Sequence, residues 1–246
     1  MSDFHDPGAE SPGRMKSVLL VTAAVAFATM SLTVPFSGFA PEAFPVPQID
    51  PPVQPAGYAF AIWGVIYLWL LAHAFYGMGT RADDPQWDRP RWPLIASLVL
   101  GTPWTAVANF SPVWSIVLIF GMLAAALTAL FATLPGYDRW WLRAPIALYA
   151  GWLTVASFAG LAIVASGYGI GPGATVWAWL ALLAAGSLAV WVQHRLNGTP
   201  EYALAVGWGL LAVGVANAGR DWALTALALL GVVAVALAWV ASRKPG

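Results

Sequence analysis

The chain has 246 residues, of which 60% are apolar and 9% charged, with eleven basic and eleven acidic side chains and no cysteine. Soluble domains carry about 25% charged residues, so an ordinary soluble globule is excluded. Zero net charge removes the basic footprint of a nucleic-acid binder, and the missing cysteines remove disulfides, thiolate catalysis and Cys-based metal sites.

Residues 1–16 read as a cytoplasmic tail. Eight apolar stretches follow, at about 17–34, 57–78, 93–110, 113–134, 144–166, 174–193, 202–218 and 222–242. About 20 helical residues cross a hydrocarbon layer ~30 Å thick, so each stretch has the length of one membrane span. From Trp92 to Tyr137, and again from Ala144 to His194, there is no charged residue. The expected fold is therefore an all-α polytopic membrane protein with about eight transmembrane helices. Arg14 and Lys16 before the first stretch, with Gly38-Phe39-Ala40 after it, fit either a retained helix or a cleaved signal peptide.

Residues 35–56 hold Pro35, Pro41, Pro45, Pro47, Pro51, Pro52 and Pro55 together with Phe36, Phe39 and Phe44. Proline fixes φ and lacks an N–H, so the segment is extended and stiff. It reads equally as a lid over the outer bundle end or as a loop resting on lipid headgroups. On the second stretch, Phe60, Trp63 and Tyr67 recur at helical spacing on one face, as Tyr149, Trp152 and Ala156 do on the fifth. Such stripes serve packing or a binding wall. Pro103 predicts a kink in the third stretch, just before Trp104. Residues 167–173 form a glycine-rich linker; no strand precedes it, so it is a turn rather than a phosphate loop. Residues 174–242 form three further helices, and Arg220 and Asp221 are expected to pair between the last two.

If both ends lie on one side, ten of the eleven basic residues share it, and only Arg220 falls opposite. The positive-inside rule then places both termini in the cytoplasm. The chain has fifteen tryptophans. Trp87, Trp92, Trp140, Trp141, Trp191 and Trp239 fall at one boundary and Trp114 and Trp222 at the other, as interfacial anchors do. Trp63, Trp69, Trp104, Trp152, Trp177, Trp179 and Trp208 lie deeper, where an indole N–H needs a partner. No Asp or Glu falls within an expected span, and His5, His73 and His194 lack metal-ligand spacing. His73 reads as a hydrogen-bonder between helices or as an axial ligand to a tetrapyrrole metal. Asn109, Gln193 and Asn217 read as interhelical hydrogen-bonders.

The run from Pro55 to Tyr67, PAGYAFAIWGVIY, resembles the start of the second helix in the tryptophan-rich sensory proteins. These form the TspO/MBR group, related to the mitochondrial translocator protein. The run from Pro145 to Ala156, PIALYAGWLTVA, is similar to the same family's fifth-helix motif. The resemblance covers 17–166 as a five-helix core, with 174–242 as a C-terminal extension. It implies a membrane receptor, sensor or carrier, not an enzyme. The ligand would be a porphyrin, haem or sterol-like lipid, lying among Phe60, Trp63, Tyr67, Trp104, Tyr149 and Trp152 under the 35–56 loop. No obligatory cofactor or metal is implied. The partners it implies are the lipid bilayer, here a bacterial cell membrane, the hydrophobic small molecule and a second copy of the chain in a homodimer. Two family asparagines are absent, where this chain reads Leu100-Gly101-Thr102-Pro103-Trp104 and Ser157-Phe158-Ala159. An accessory subunit of a larger membrane complex and a porphyrin-degrading enzyme are the alternatives.

Overall fold

The computed structural model describes residues 12–34 and 36–243, so most of the tail, Pro35 and Lys244 lie outside the described residues. The elements are α1 (Pro12–Thr33), α2 (Ile62–Thr80), α3 (Pro85–Gly101), α4 (Trp104–Phe110), α5 (Pro112–Ala132), α6 (Arg143–Gly167), α7 (Ala174–Arg195), α8 (Pro200–Asn217) and α9 (Trp222–Ala241). Two short 3-10 turns, Pro41–Ala43 and Gly57–Ala61, interrupt the long first connection. No strand occurs among the described residues.

Helices α3 and α4 are two halves of one span, Pro85–Phe110, broken at Thr102–Pro103. Proline has no N–H to continue the ladder, so the break falls where the sequence places it. With these halves joined there are eight long helices among the described residues. Seven are long and apolar enough to cross a membrane; α8, with Glu201 and Asn217 near its ends, is not among them. This integral membrane protein is built around α6. In the most apolar window of α6, 72% of residues are buried, against 28–39% in the other spans. One side of α6 closes a ring through α2, α1, α3 and α5, while α7 and α8 pack on its other side and α9 covers both. The C-terminal helices thus share a central helix with the first five.

Several local expectations are corrected. Helix α3 starts at Pro85 rather than near 93, because the Asp84 side chain accepts hydrogen bonds from Gln86 N and Trp87 N. Trp87 consequently leaves the interface. It is 1% exposed, lies against Gly77, stacks on His73 at 5.0 Å and donates from Nε1 to Asp138 Oδ2 at 2.9 Å. The Arg81 hydrogen bond holds the Asp138 carboxyl below the usual carboxylate range, despite partial burial. Arg91 becomes a buried helical residue that donates to the carbonyls of Gly13, Ala82 and Arg81. Arg220 does not pair with Asp221. Asp221 caps α9 by accepting from Leu224 N at 2.9 Å, whereas Arg220 faces Asp50. Helix α8 begins at Pro200, so Glu201 sits buried in its first turn, ion-paired with Arg139.

The remaining boundary indoles are mostly exposed. Trp92, Trp140, Trp141 and Trp191 lie near the end that carries the termini, and Trp114 and Trp222 near the other. At the termini end the Arg139, Arg195 and Arg243 guanidiniums lie over Trp140, Trp191 and Trp239. Such cation–π pairs suit an interface where one end of each side chain is wet.

Candidate functional site

The site begins where the proline-rich connection turns into α2. After the Gly57–Ala61 turn, Phe60, Trp63 and Tyr67 follow one face at spacings of three and four. Trp63 and Tyr67 stack at 5.3 Å with 13° between planes. Trp152 of α6 meets Phe60 and Trp63 edge-on, each at 6.1 Å. Pro103 starts α4 at the point where Trp104 turns inward, and Trp104 Nε1 donates to the Ser115 carbonyl at 3.0 Å. Phe36 then closes edge-on over Trp104 at 4.9 Å.

These rings enclose two adjoining cavities, about 650 Å3 and 830 Å3 counted to their open mouths. The first lies beneath the connection and is floored by small α6 residues, including Ala156, Ala159 and Gly160. The second lies between α1, α2, α4 and α5. Phe60, Trp63 and Trp104 line both, Trp152 lines the first, and Tyr67 lines the second. Tyr149 lines neither. It is fully buried, its hydroxyl shares a 2.9 Å hydrogen bond with Ser97, and its ring backs Phe27 and Trp63. Phe27 and Ile119 also reach the cavities. Nothing in local spacing singles them out, because they meet the site through tertiary packing alone.

No charged side chain lines either cavity. Polar lining residues besides the indoles are few: Gln54 in the first, Ser31, Tyr67 and Thr105 in the second. Trp152 Nε1 and Thr105 Oγ1 are buried and have no hydrogen-bond partner among the described residues. His73 lines neither cavity. Its Nδ1 is 2.7 Å from the Trp141 carbonyl, which can only accept, so Nδ1 carries the proton. No group of three or more potential metal ligands occurs among the described residues.

The proline-rich connection lies across the bundle end opposite the termini as a strap. Phe44 is buried against Gly167, Val46 N donates to the Gly167 carbonyl at 2.9 Å, and Ser166 Oγ donates to Gln48 Oε1 at 2.8 Å. Further along, α8 holds the strap. Asn217 Nδ2 donates to the Pro52 carbonyl at 2.7 Å and Ala56 N to the Ala212 carbonyl at 3.1 Å. Trp208 Nε1 donates to the Ala59 carbonyl at 2.9 Å. Residues 174–242 line neither of the two cavities, yet they fix the segment that covers them. Asn217 therefore ties a helix to a loop rather than a helix to a helix.

The model of a family described as TSPO-like protein matches residues 15–241, from α1 through α9 and past the glycine-rich turn. No curated protein matches the chain, and no solved structure does.

Proposed function

Because the chain belongs to the TSPO-like protein family, we propose that this membrane sensor or carrier holds a planar apolar ligand, such as a porphyrin, in the aromatic cavity beneath the strap. The observation that carries the reading is the uncharged wall formed by Phe60, Trp63, Trp104 and Trp152. Binding rather than turnover is favoured, because this wall offers no acid–base pair to move a proton.

The membrane changes the energetics of such binding. Lipid tails already solvate an apolar ligand, so affinity comes from shape, stacking and a few hydrogen bonds. One ring contact contributes about 0.5–1.5 kcal/mol beyond area burial, which is roughly threefold to tenfold in affinity. Protoporphyrin added to the reconstituted protein should quench tryptophan emission saturably. Trp63→Leu and Trp152→Leu should each raise the dissociation constant by about that factor. Trp222→Leu, at an indole 71% exposed that lines neither cavity, should leave it unchanged. Quenching that never saturates would remove the tetrapyrrole reading and favour an accessory subunit.

The proposed carrier has both termini in the cytoplasm, on the strength of the basic-residue bias. In the cysteine-free background, an impermeant maleimide outside sealed cells should label Ser37→Cys and spare Arg89→Cys. The reverse pattern would invert the protein and put the strap on the cytoplasmic side.

A further inference from the structure

We infer that hydrophobic molecules enter the cavity sideways from the bilayer, through a mouth between α1 and α2 at Leu32 and Gly64. This rests on the reading that the cavity takes an apolar ligand. The second cavity is walled unevenly. On its inner side Trp104, Thr105, Ile119 and Met122 are all buried. Its exposed lining residues are Leu32 of α1, 73% exposed, and Gly64 of α2. A Cβ built on Gly64 would meet no atom within 4 Å, so the space there is open. The neighbouring outward side chains, Val65 and Leu68, are apolar and exposed, as lipid-facing residues are. Gly64 also lies inside the span Gly57–Thr80, roughly 10 Å from its start at about 1.5 Å per residue. The opening therefore faces the tail region rather than water.

The other route, past the strap, is held shut from both sides. Helix α6 holds Phe44, Val46 and Gln48, and α8 holds Pro52, Ala56 and Ala59. Lifting the strap breaks these bonds together and exposes Phe44 and Val53, which are 4% and 3% exposed. Entry from the side needs only a turn of Leu32 and the displacement of a lipid tail. A lipid-soluble ligand is also most concentrated at that mouth. Phe36, Trp63 and Trp104 border both cavities, so a molecule entering there meets the proposed binding wall next. On this view the strap is a fixed cover, and Gly64 is glycine to keep the way open.

The test needs no identified ligand. Thr105→Cys, in a chain that has no other cysteine, puts one thiol on the wall facing the mouth. The full chain in lipid vesicles is treated with benzyl methanethiosulfonate, which dissolves in the bilayer, or with the charged trimethylammonioethyl reagent, which stays in water. The benzyl reagent should modify the thiol and the charged one should react at least about tenfold more slowly. Gly64→Phe, placed where there is room for it, should slow the benzyl reagent by about tenfold. Asn217→Ala, which frees one strap tether, should leave that rate within about twofold. Equal rates for the two reagents, no effect of Gly64→Phe, or acceleration by Asn217→Ala would each overturn the side entrance. Failure of modification by both reagents would overturn it too. A protein that ignores protoporphyrin yet shows the expected labelling refutes the ligand and keeps the entrance.

Discussion

Gly151→Val is expected to wedge α8 away from α6 and to destabilise the protein by about 3 kcal/mol, the upper part of the usual range for overpacking. A Cβ on Gly151 would stand 2.5 Å from the Tyr202 carbonyl oxygen and 2.9 Å from Ala205 Cβ. Neither neighbour can swing aside, since one is helix backbone and the other a methyl on its helix. Valine adds two further methyls at the same place. In membranes, small residues at helix crossings let backbones approach closely, and that packing replaces the missing hydrophobic drive between helices. The displacement should spread. Tyr202 shares a 2.9 Å hydroxyl hydrogen bond with Thr154, and α8 carries the three strap tethers. Thermal unfolding in detergent should show a large drop in midpoint, and amide exchange over residues 45–60 should accelerate. Gly186→Val, at a glycine with open space around it, is the control. Equal midpoints for the two variants would show that the α6–α8 crossing does not depend on close approach.

Arg143→Met is expected to cost about 3–5 kcal/mol, because it removes several hydrogen bonds donated by one buried cation, each contributing about 1.5–3 kcal/mol before relaxation. Arg143 opens α6, is 4% exposed, and uses every nitrogen of its fork. Nε donates to Thr199 Oγ1 at 2.7 Å, Nη1 to the Thr133 carbonyl at 2.8 Å and its hydroxyl at 3.0 Å, and Nη2 to the Leu196 carbonyl at 2.7 Å. One planar group thus ties the ends of α5 and α7 and the start of α8 to the central helix. Methionine fills the stem volume but removes these hydrogen bonds; the Leu196 carbonyl keeps only the Thr199 hydroxyl as donor, and the Thr133 carbonyl loses its bond from Nη1, at about 1–3 kcal/mol for each group left unsatisfied before relaxation. Arg143→Lys should recover little, because an ammonium is a point charge that cannot span four acceptor atoms on three separated residues. Arg89→Met, at an exposed arginine, should stay within about 0.5 kcal/mol of wild type. Arg143→Met unfolding at the wild-type midpoint would show that the helix ends are held elsewhere.

The helices were legible in the sequence because the hydrocarbon layer fixes their length and forbids unpaired backbone, so spans announce themselves by missing charges. The break at Pro103 was legible for a covalent reason, the absent N–H. Family membership was carried by the motifs around Trp63 and Trp152, now joined by a match over 15–241. Spacing also brought Phe60, Trp63 and Tyr67 to one face, since three and four residues are local distances on a helix. Other features depended on what lies opposite a residue in space. Trp87 became buried rather than interfacial because Gly77 and His73 receive it. Arg220 turned to Asp50 because Asp221 was already committed to capping α9. Tyr149 moved behind the wall because Ser97 and Phe27 face it across the bundle. The strap's attachment to α8, and the side mouth at Gly64, join residues far apart in the chain. A bilayer constrains each span separately and says little about which spans touch. The sequence by itself therefore determined the helices, while their packing around α6 decided where the cavity opens and what holds its cover in place.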